Sequence, residues 1–175
     1  MGSHRADAHG AAWGGALPPG RGAHQGTVEQ LIGDEIVVLF GLAESAADAP
    51  ARAVRAAMDM VAAVQRLARH WAGEGVPRFD IGVGIASGPV LAGTIGSAER
   101  RELVVVGRPM ITAARIQRMT RLFDAHIIAA EGTFRDVRDL VRHRELGSPR
   151  LTGLKERETL YEILGPRDAA ASIAG

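Results

Sequence analysis

Two side chains in this sequence have a type and a setting that suit metal and phosphate chemistry. Asp34 follows Gly33 between two apolar segments, which predicts a carboxylate at the tip of a β-hairpin. An exposed carboxylate is a hard-oxygen ligand of the kind that Mg²⁺ prefers, but Gly-Asp also makes a tight turn without any ligand. Arg115 carries a guanidinium that can bind two phosphate oxygens, but a helical arginine can equally be a solvated surface group. Pattern alone leaves both readings open.

The elements that position these residues are predicted by hydrophobic periodicity. Residues 27–31 and 36–40 form the two arms of the hairpin. A long helix follows, with Asp48 as its N-cap, Pro50 in its first turn, and apolar residues at helical spacing over 54–71. The sequence therefore places Asp34 on a hairpin that precedes an amphipathic helix.

The next segment predicts a strand with a bare face. Residues 79–86 alternate between apolar side chains and the glycines Gly82 and Gly84, so a bulky group can approach the backbone from the glycine side. The segment 87–89 (Ser-Gly-Pro) predicts a turn that leads into a further strand over 90–95.

The remaining segments alternate between strands and helices without a strict βαβ rhythm. Strands are predicted over 103–106, 126–129, 141–146 and 159–164, and helices over 110–122 and 131–138. This order predicts an α/β fold of the α+β type, with a mixed sheet and helices on one face. Residues 1–25 and 166–175 lack periodicity and predict disordered tails on either side of one domain over 26–165.

Composition excludes several classes of protein. The chain has 175 residues, of which 46% are apolar, with 21 basic and 20 acidic side chains and no cysteine. Disulfides and thiolate metal sites are excluded, and the charge balance does not suggest a nucleic-acid-binding protein. No apolar run approaches the ~20 residues of a membrane span, and no secretion signal is evident, so a cytoplasmic protein is expected.

Several segments in a fixed order carry a resemblance that no single motif would carry. They are GTVEQLIGD at 26–34 leading into FG at 40–41, IGVGIASG at 81–88 followed by AGTIG at 92–96, VG at 106–107 followed by AAR at 113–115, and ELG at 145–147 followed by Gly153 and YEI at 161–163. Over roughly residues 24–165 this order resembles the class III adenylate/guanylate cyclase domain.

The resemblance implies a ferredoxin-like nucleotidyl cyclase fold that dimerises head to tail, with active sites in the interface. Two Mg²⁺ or Mn²⁺ ions held by two aspartates would convert ATP or GTP into a 3′,5′-cyclic nucleotide and pyrophosphate. Asp34 matches one metal aspartate, and Arg115 matches the arginine that stabilises the transition state.

Other positions of the family pattern differ in this sequence. The two base-selecting positions fall at Gln30 and Val104, and the transition-state asparagine falls at Ile111. Loss of one such donor costs about 2.7–4 kcal/mol, or about a hundredfold to a thousandfold in rate. Lys155 lies one place beyond the expected phosphate-binding lysine, and Arg108 stands where an aspartate is usual.

The second metal aspartate has no clear counterpart, because Asp7 lies in a segment without strand periodicity. The first strand and the first two helices of the family fold are also predicted to be missing. A missing central strand leaves backbone groups without partners. Either the natural start lies upstream, or another chain or the Gly-rich N-terminal segment fills the gap.

These features lead to three hypotheses. The first is a catalytically impaired cyclase-like domain that regulates or dimerises in cyclic-nucleotide signalling. It would bind a nucleoside triphosphate weakly or not at all and form a homodimer, or a heterodimer with another cyclase-like domain. The second is an active adenylate or guanylate cyclase whose site is completed by a partner or an upstream segment and uses Mg²⁺ or Mn²⁺. The third is a protein-binding domain without nucleotide affinity.

Overall fold

The computed structural model describes residues 4–14, 24–42, 46–72, 79–96, 101–153 and 156–167. The elements, in chain order, are β1 (His4–Gly14), β2 (Thr27–Ile32), β3 (Glu35–Phe40), α1 (Ala49–Ala72), β4 (Val83–Gly96), β5 (Arg101–Val106), α2 (Arg108–Phe123), β6 (Ile127–Ala130), α3 (Glu131–Val137), β7 (Val141–Gly147) and β8 (Leu160–Pro166). From β2 onward their types agree with the sequence predictions.

The strands form one mixed sheet, as the sequence predicts. Their order is β2-β3-β1-β4-β6-β8-β7, and β5 pairs with β4 off this path. The pairing of β4 with β6 is parallel, whereas the other pairings are antiparallel. Among the described residues no helix precedes β2.

The N-terminal segment differs from the sequence prediction. Residues 4–14, assigned to a disordered tail, form β1, which pairs with β3 on one side and β4 on the other. Trp13 lies opposite both Ile36 and Val83. The place of the missing first strand is thus occupied by this Gly- and Ala-rich segment, which gives the edges of β3 and β4 their hydrogen-bonding partners.

The prediction that the helices lie on one face of the sheet is wrong. One buried cluster joins α1 and α3 to alternate residues of the sheet, such as Val83 and Ile85 of β4. A second cluster joins α2 to the intervening positions, such as Ala86 and Ile128. Because successive strand residues point to opposite faces, α1 and α2 cover opposite sides of the sheet.

The predicted glycine face of β4 receives α2. A Cβ atom at Gly84 would overlap the Ala113 carbonyl oxygen and the Gln117 amide nitrogen, and one at Gly82 would overlap the Thr120 side chain. The helix backbone therefore lies directly on the strand backbone, as the glycine pattern predicts.

The turn predicted at 87–89 is not present. β4 runs unbroken from Val83 to Gly96, and its pairing with β1 continues through Gly88 and Pro89. Gly88 has a φ of 154°, a conformation that glycine adopts readily, so the Ser-Gly-Pro segment is accommodated within the strand.

The long helix α1 begins directly after Asp48, as predicted, but two of its residues differ from the predicted pattern. Arg52, which precedes the predicted apolar stripe over 54–71, is nevertheless buried, and its Nε lies 3.2 Å from Oδ1 of Asp48. Trp71, assigned to the apolar stripe, is 39% exposed and lies against Phe79. The buried part of α1 ends near Val61.

The glycine contact under α2 gives a stability prediction. Gly84→Ala should lower the free energy of unfolding by about 3 kcal/mol, the upper part of the range for overpacking, because the obstructing atoms are backbone and cannot rotate away. Gly93→Ala on the same strand is the matched control, since a Cβ there meets nothing within 4 Å. Urea unfolding of the two variants checks this. Equal destabilisation of both would contradict the packing described.

Candidate functional site

Asp34 lies in the turn of the β2–β3 hairpin and is exposed. Gly33 beside it has a φ of 62°, which gives the chain its tight reversal. The Asp34 carboxylate lines a cavity of about 410 Å³ between this turn and the C-terminal half of α2, where Gln117 and Arg121 also line it. Side chains of both charges surround the cavity, so a cation would meet attraction and repulsion there.

A polar network forms another wall of the Asp34 cavity. Nδ1 of His126 lies 3.2 Å from Oδ2 of Asp80, and Nε2 of His126 lies 3.1 Å from Nε2 of Gln65. Oδ1 of Asp80 accepts a hydrogen bond of 2.8 Å from the Ile81 amide. Asp80 is therefore engaged within the protein. The part of the chain that the structure describes has no group of three or more His, Asp or Glu side chains that could hold a metal ion.

Helix α2 presents Ile111 and Arg115 on one face, because residues four apart are neighbours on a helix. Ile111 is 51% exposed, so an aliphatic group stands free where the resemblance expects a hydrogen-bond donor. The Arg115 guanidinium lies against Gly153 in the loop between β7 and β8, where an added Cβ would be 3.4 Å from Nη2.

Val104 lies on β5 opposite Gly93 of β4 and is 37% exposed. Alternate residues of a strand and their cross-strand partners share a face. Val104 therefore belongs to an exposed apolar surface, here called the β4–β5 apolar face, whose members are Leu91, Ile95, Val104 and Val106. Hydrogen-bonding groups for a purine base are not offered by these side chains.

Gln30 is exposed on β2, directly after a bulge in the pairing with β3. The bulge residue, Glu29, accepts a hydrogen bond from the backbone of Val105 on β5, and burial raises its pKa despite this bond. Gln30 and Val104, the two positions predicted to select the base, thus stand beside the residues that join β2 to β5. The sequence contains no signal for this contact, since a bulge is set by the partner strand.

The β7–β8 loop lies along α2. Leu151 is buried in the cluster that includes Ala113 and Ile116. Nη2 of Arg108, the first residue of α2, lies 2.6 Å from Oε2 of Glu156. Burial raises the pKa of the nearby Glu158 carboxyl, and the Arg108 charge lowers it by a smaller amount. Lys155 lies outside the described residues.

The predicted site residues thus fall into separate groups. Ile111, Arg115 and the β7–β8 loop are brought together on α2, and Val104 lies on the strand that leads into it. Asp34 lies at the other end of α2, and among the described residues Arg115 does not line its cavity. Asp34 and Arg115, the predicted metal and transition-state residues, therefore do not line a common cavity in the described part of the chain.

Comparison with a family model assigns the chain to a protein family. The model of the adenylate and guanylate cyclase catalytic domain matches residues 23–162. The chain belongs to this family, as the ordered motifs indicate.

Individual relatives agree. The chain is 24% identical over 143 residues to adenylate cyclase 1 of Rhizobium meliloti, covering 82% of this chain and 22% of the relative. It is 31% identical over 125 residues to an uncharacterized Mycobacterium tuberculosis protein, covering 71% of this chain and 22% of the relative. The chain thus spans about a fifth of the length of these relatives.

Solved structures confirm the fold. The adenylyl cyclase CyaB of P. aeruginosa superposes with a TM-score of 0.80 at 18% identity, covering 95% of this chain and 98% of that structure. The guanylyl cyclase Cya2 superposes with a TM-score of 0.79 at 24% identity, covering 97% of each chain. No described helix is long and apolar enough to cross a membrane.

The end of the β7–β8 loop is fixed by Tyr161 at the start of β8. Its ring stacks on Phe134 with centroids 3.8 Å apart, and its hydroxyl donates a hydrogen bond to the Glu131 carboxylate. This bond to a charged acceptor raises the pKa of Tyr161 to about 12, because ionisation would set two negative charges side by side.

Tyr161 is the only tyrosine in the chain, so tyrosinate absorbance against pH reports it alone. The midpoint should lie near pH 12, and Glu131→Gln should move it toward the ordinary value of about 10. Since the folded pKa is raised, the stability from this bond is present below pH 10 and lost as the pH rises through 12. Asp136→Asn, which removes a charge from the same helix, should leave the midpoint unchanged. A wild-type midpoint near 10 in folded protein would refute the bond.

Proposed function

We propose that this chain is a class III cyclase-like domain that dimerises and regulates in cyclic-nucleotide signalling but has lost most of its own catalytic power. The main support is the exposure of Val104 and Ile111 at positions where the resemblance requires groups that bind the base and the transition state. An aliphatic side chain cannot supply the preorganised hydrogen bond that lowers the barrier.

The candidate metal ligands support the same proposal. Asp34 is an exposed carboxylate that would hold a Mg²⁺ or Mn²⁺ ion, whose role in this chemistry is to activate the attacking hydroxyl and neutralise phosphate charge. Asp7 cannot join it. It lies opposite Pro89, whereas the hairpin turn lies beside Gly14, about 23 Å away along β1. A single carboxylate compensates little of the charge of two divalent ions.

Dimerisation is supported by the separation of the retained groups. Asp34 and Arg115 do not line one cavity, which agrees with a site that takes Asp34 from one chain and Arg115 from another, as the resemblance implies. The β4–β5 apolar face offers a surface for such an association, because exposed apolar patches of this kind mark interaction sites.

The rival function, an active cyclase whose site is completed by a partner or an upstream segment, rests on the same two residues, Asp34 and Arg115. In a heterodimer, Arg115 of this chain would act on a nucleotide whose metal ions are held by the other subunit. The rival function therefore expects the mixed dimer to form cyclic nucleotide and the isolated chain not to.

The activity prediction uses Asp34. Purified protein with ATP or GTP and Mn²⁺ should form cyclic nucleotide no faster than the Asp34→Asn variant, because the donor lost at Ile111 alone costs about a hundredfold to a thousandfold. The measurement is cyclic nucleotide against time, with a full-length active cyclase as positive control. Formation that Asp34→Asn abolishes would overturn the impaired-site proposal, whereas formation only after a second, active cyclase-like domain is added would establish the rival one.

The association prediction uses Val106. Val106→Asp should weaken dimerisation by at least about tenfold, because an interface would bury an unpaired carboxylate. Leu140→Asp is the matched control, since Leu140 is 49% exposed, close to the 56% of Val106, but follows α3 on another part of the fold. Sedimentation equilibrium of the three proteins decides. A wild-type monomer, or equal weakening by both substitutions, would remove the proposed interface.

A further inference from the structure

The β7–β8 loop and α2 run side by side in opposite directions. Leu151 anchors the loop in the core beneath α2, Gly153 lies against the Arg115 guanidinium, and Glu156 reaches back to Arg108 at the helix start. The loop therefore carries a carboxylate to the same helix that carries Arg115.

Arg108 shares a face of α2 with Ile111 and Arg115. The spacing of three and four residues puts the three side chains in one row, and the two arginines are two turns apart, about 10 Å along the axis. The row thus has a guanidinium at each end and an aliphatic group between. The positive charge of Arg108 is not part of the family's sequence pattern, in which an aspartate is usual at this position.

The Arg108–Glu156 contact is short but exposed. The distance is 2.6 Å, and the two side chains are 54% and 71% exposed. Exposed pairs of this kind contribute little to stability, because water screens them and two long side chains must be ordered. A guanidinium also binds phosphate in the same forked geometry as carboxylate, so a polyphosphate of higher charge can displace Glu156.

We propose that Arg108 is a polyphosphate-binding residue of this domain and that Glu156 is an internal anion that occupies its guanidinium until a nucleoside triphosphate displaces it. This proposal rests on the proposed function in one respect, since it takes the Arg115 face of α2 as the face that meets the phosphates. Charge at Arg108 then offsets part of the binding lost with the base-selecting groups.

The test is calorimetric binding of Mg²⁺-ATP, and separately of inorganic triphosphate, to wild-type protein and four variants. These are Glu156→Gln, Arg108→Gln, the double variant and Asp139→Asn. The last is the matched control, because Asp139 is an exposed partner of Arg167 at 3.4 Å, and its substitution makes the same change in net charge elsewhere.

Glu156→Gln should tighten binding of both probes by about twofold to fivefold, the range that corresponds to an exposed ion pair. Arg108→Gln should weaken binding, and adding Glu156→Gln to it should have no further effect. Asp139→Asn should bind as wild type. Equal effects on ATP and inorganic triphosphate are expected because Arg108 contacts phosphate and not the base.

Three results would overturn the proposal. They are a Glu156→Gln affinity no tighter than that of Asp139→Asn, the same gain in the absence of Arg108, and no binding of either probe by any folded variant. Sedimentation of the same samples separates this failure from that of the proposed function. If the protein is a dimer that binds no polyphosphate, only the role of Arg108 is rejected. If it is a monomer whose variants show the predicted pattern of affinities, only the dimer is rejected.

Discussion

The contact between α2 and the glycine face of β4 is the constraint on which the rest of the site depends. The Ala113 carbonyl and the Gln117 amide lie where a side chain at residue 84 would stand, so the helix sits on the sheet at backbone distance. That distance fixes the height of the whole helix above the sheet. The β7–β8 loop packs against the helix through Leu151, so its position follows from the same contact.

An element could be predicted where its own side chains determine its structure, and could not where neighbouring elements determine its place. The helix α1, the strand β3 and the first part of β4, up to Ala86, were predictable because their own side chains repeat with the period of the element. The continuation of β4 through residues 87–89 was not, because a Ser-Gly-Pro sequence is typical of a turn. Strand β1 was not, because its Ala- and Gly-rich sequence has no period and its place is set by the open edges of its neighbours. The opposite placement of α1 and α2 is likewise a property of the sheet as a whole.

The candidate site also has a part that could be predicted from the sequence and a part that could not. The predictions for Asp34, Arg115, Val104 and Ile111 could be made from ordered motifs, since motif order survives in the chain itself. The partners of these residues could not, because Gly153 and Glu156 meet α2 only after the chain has turned through β6, α3 and β7. Arg108 stands where an aspartate is usual, so the charge at this position is reversed. A single sequence does not reveal that Glu156 is the distant residue that pairs with the reversed charge.

The pattern of retained and lost groups separates binding from catalysis. In the proposed function, Arg115 and Asp34 keep charges that would attract phosphate and metal over several ångströms, and such attraction tolerates imprecise placement. Val104 and Ile111 are exposed aliphatic residues at positions where the resemblance implies directional hydrogen bonds, which weaken steeply away from one distance and angle. Catalysis needs interactions that are stronger in the transition state than in the ground state, and directional groups supply them. In the proposed function, a surface that keeps these charges and lacks the directional donors would still attract a polyphosphate but would lack the means to cyclise a nucleoside triphosphate.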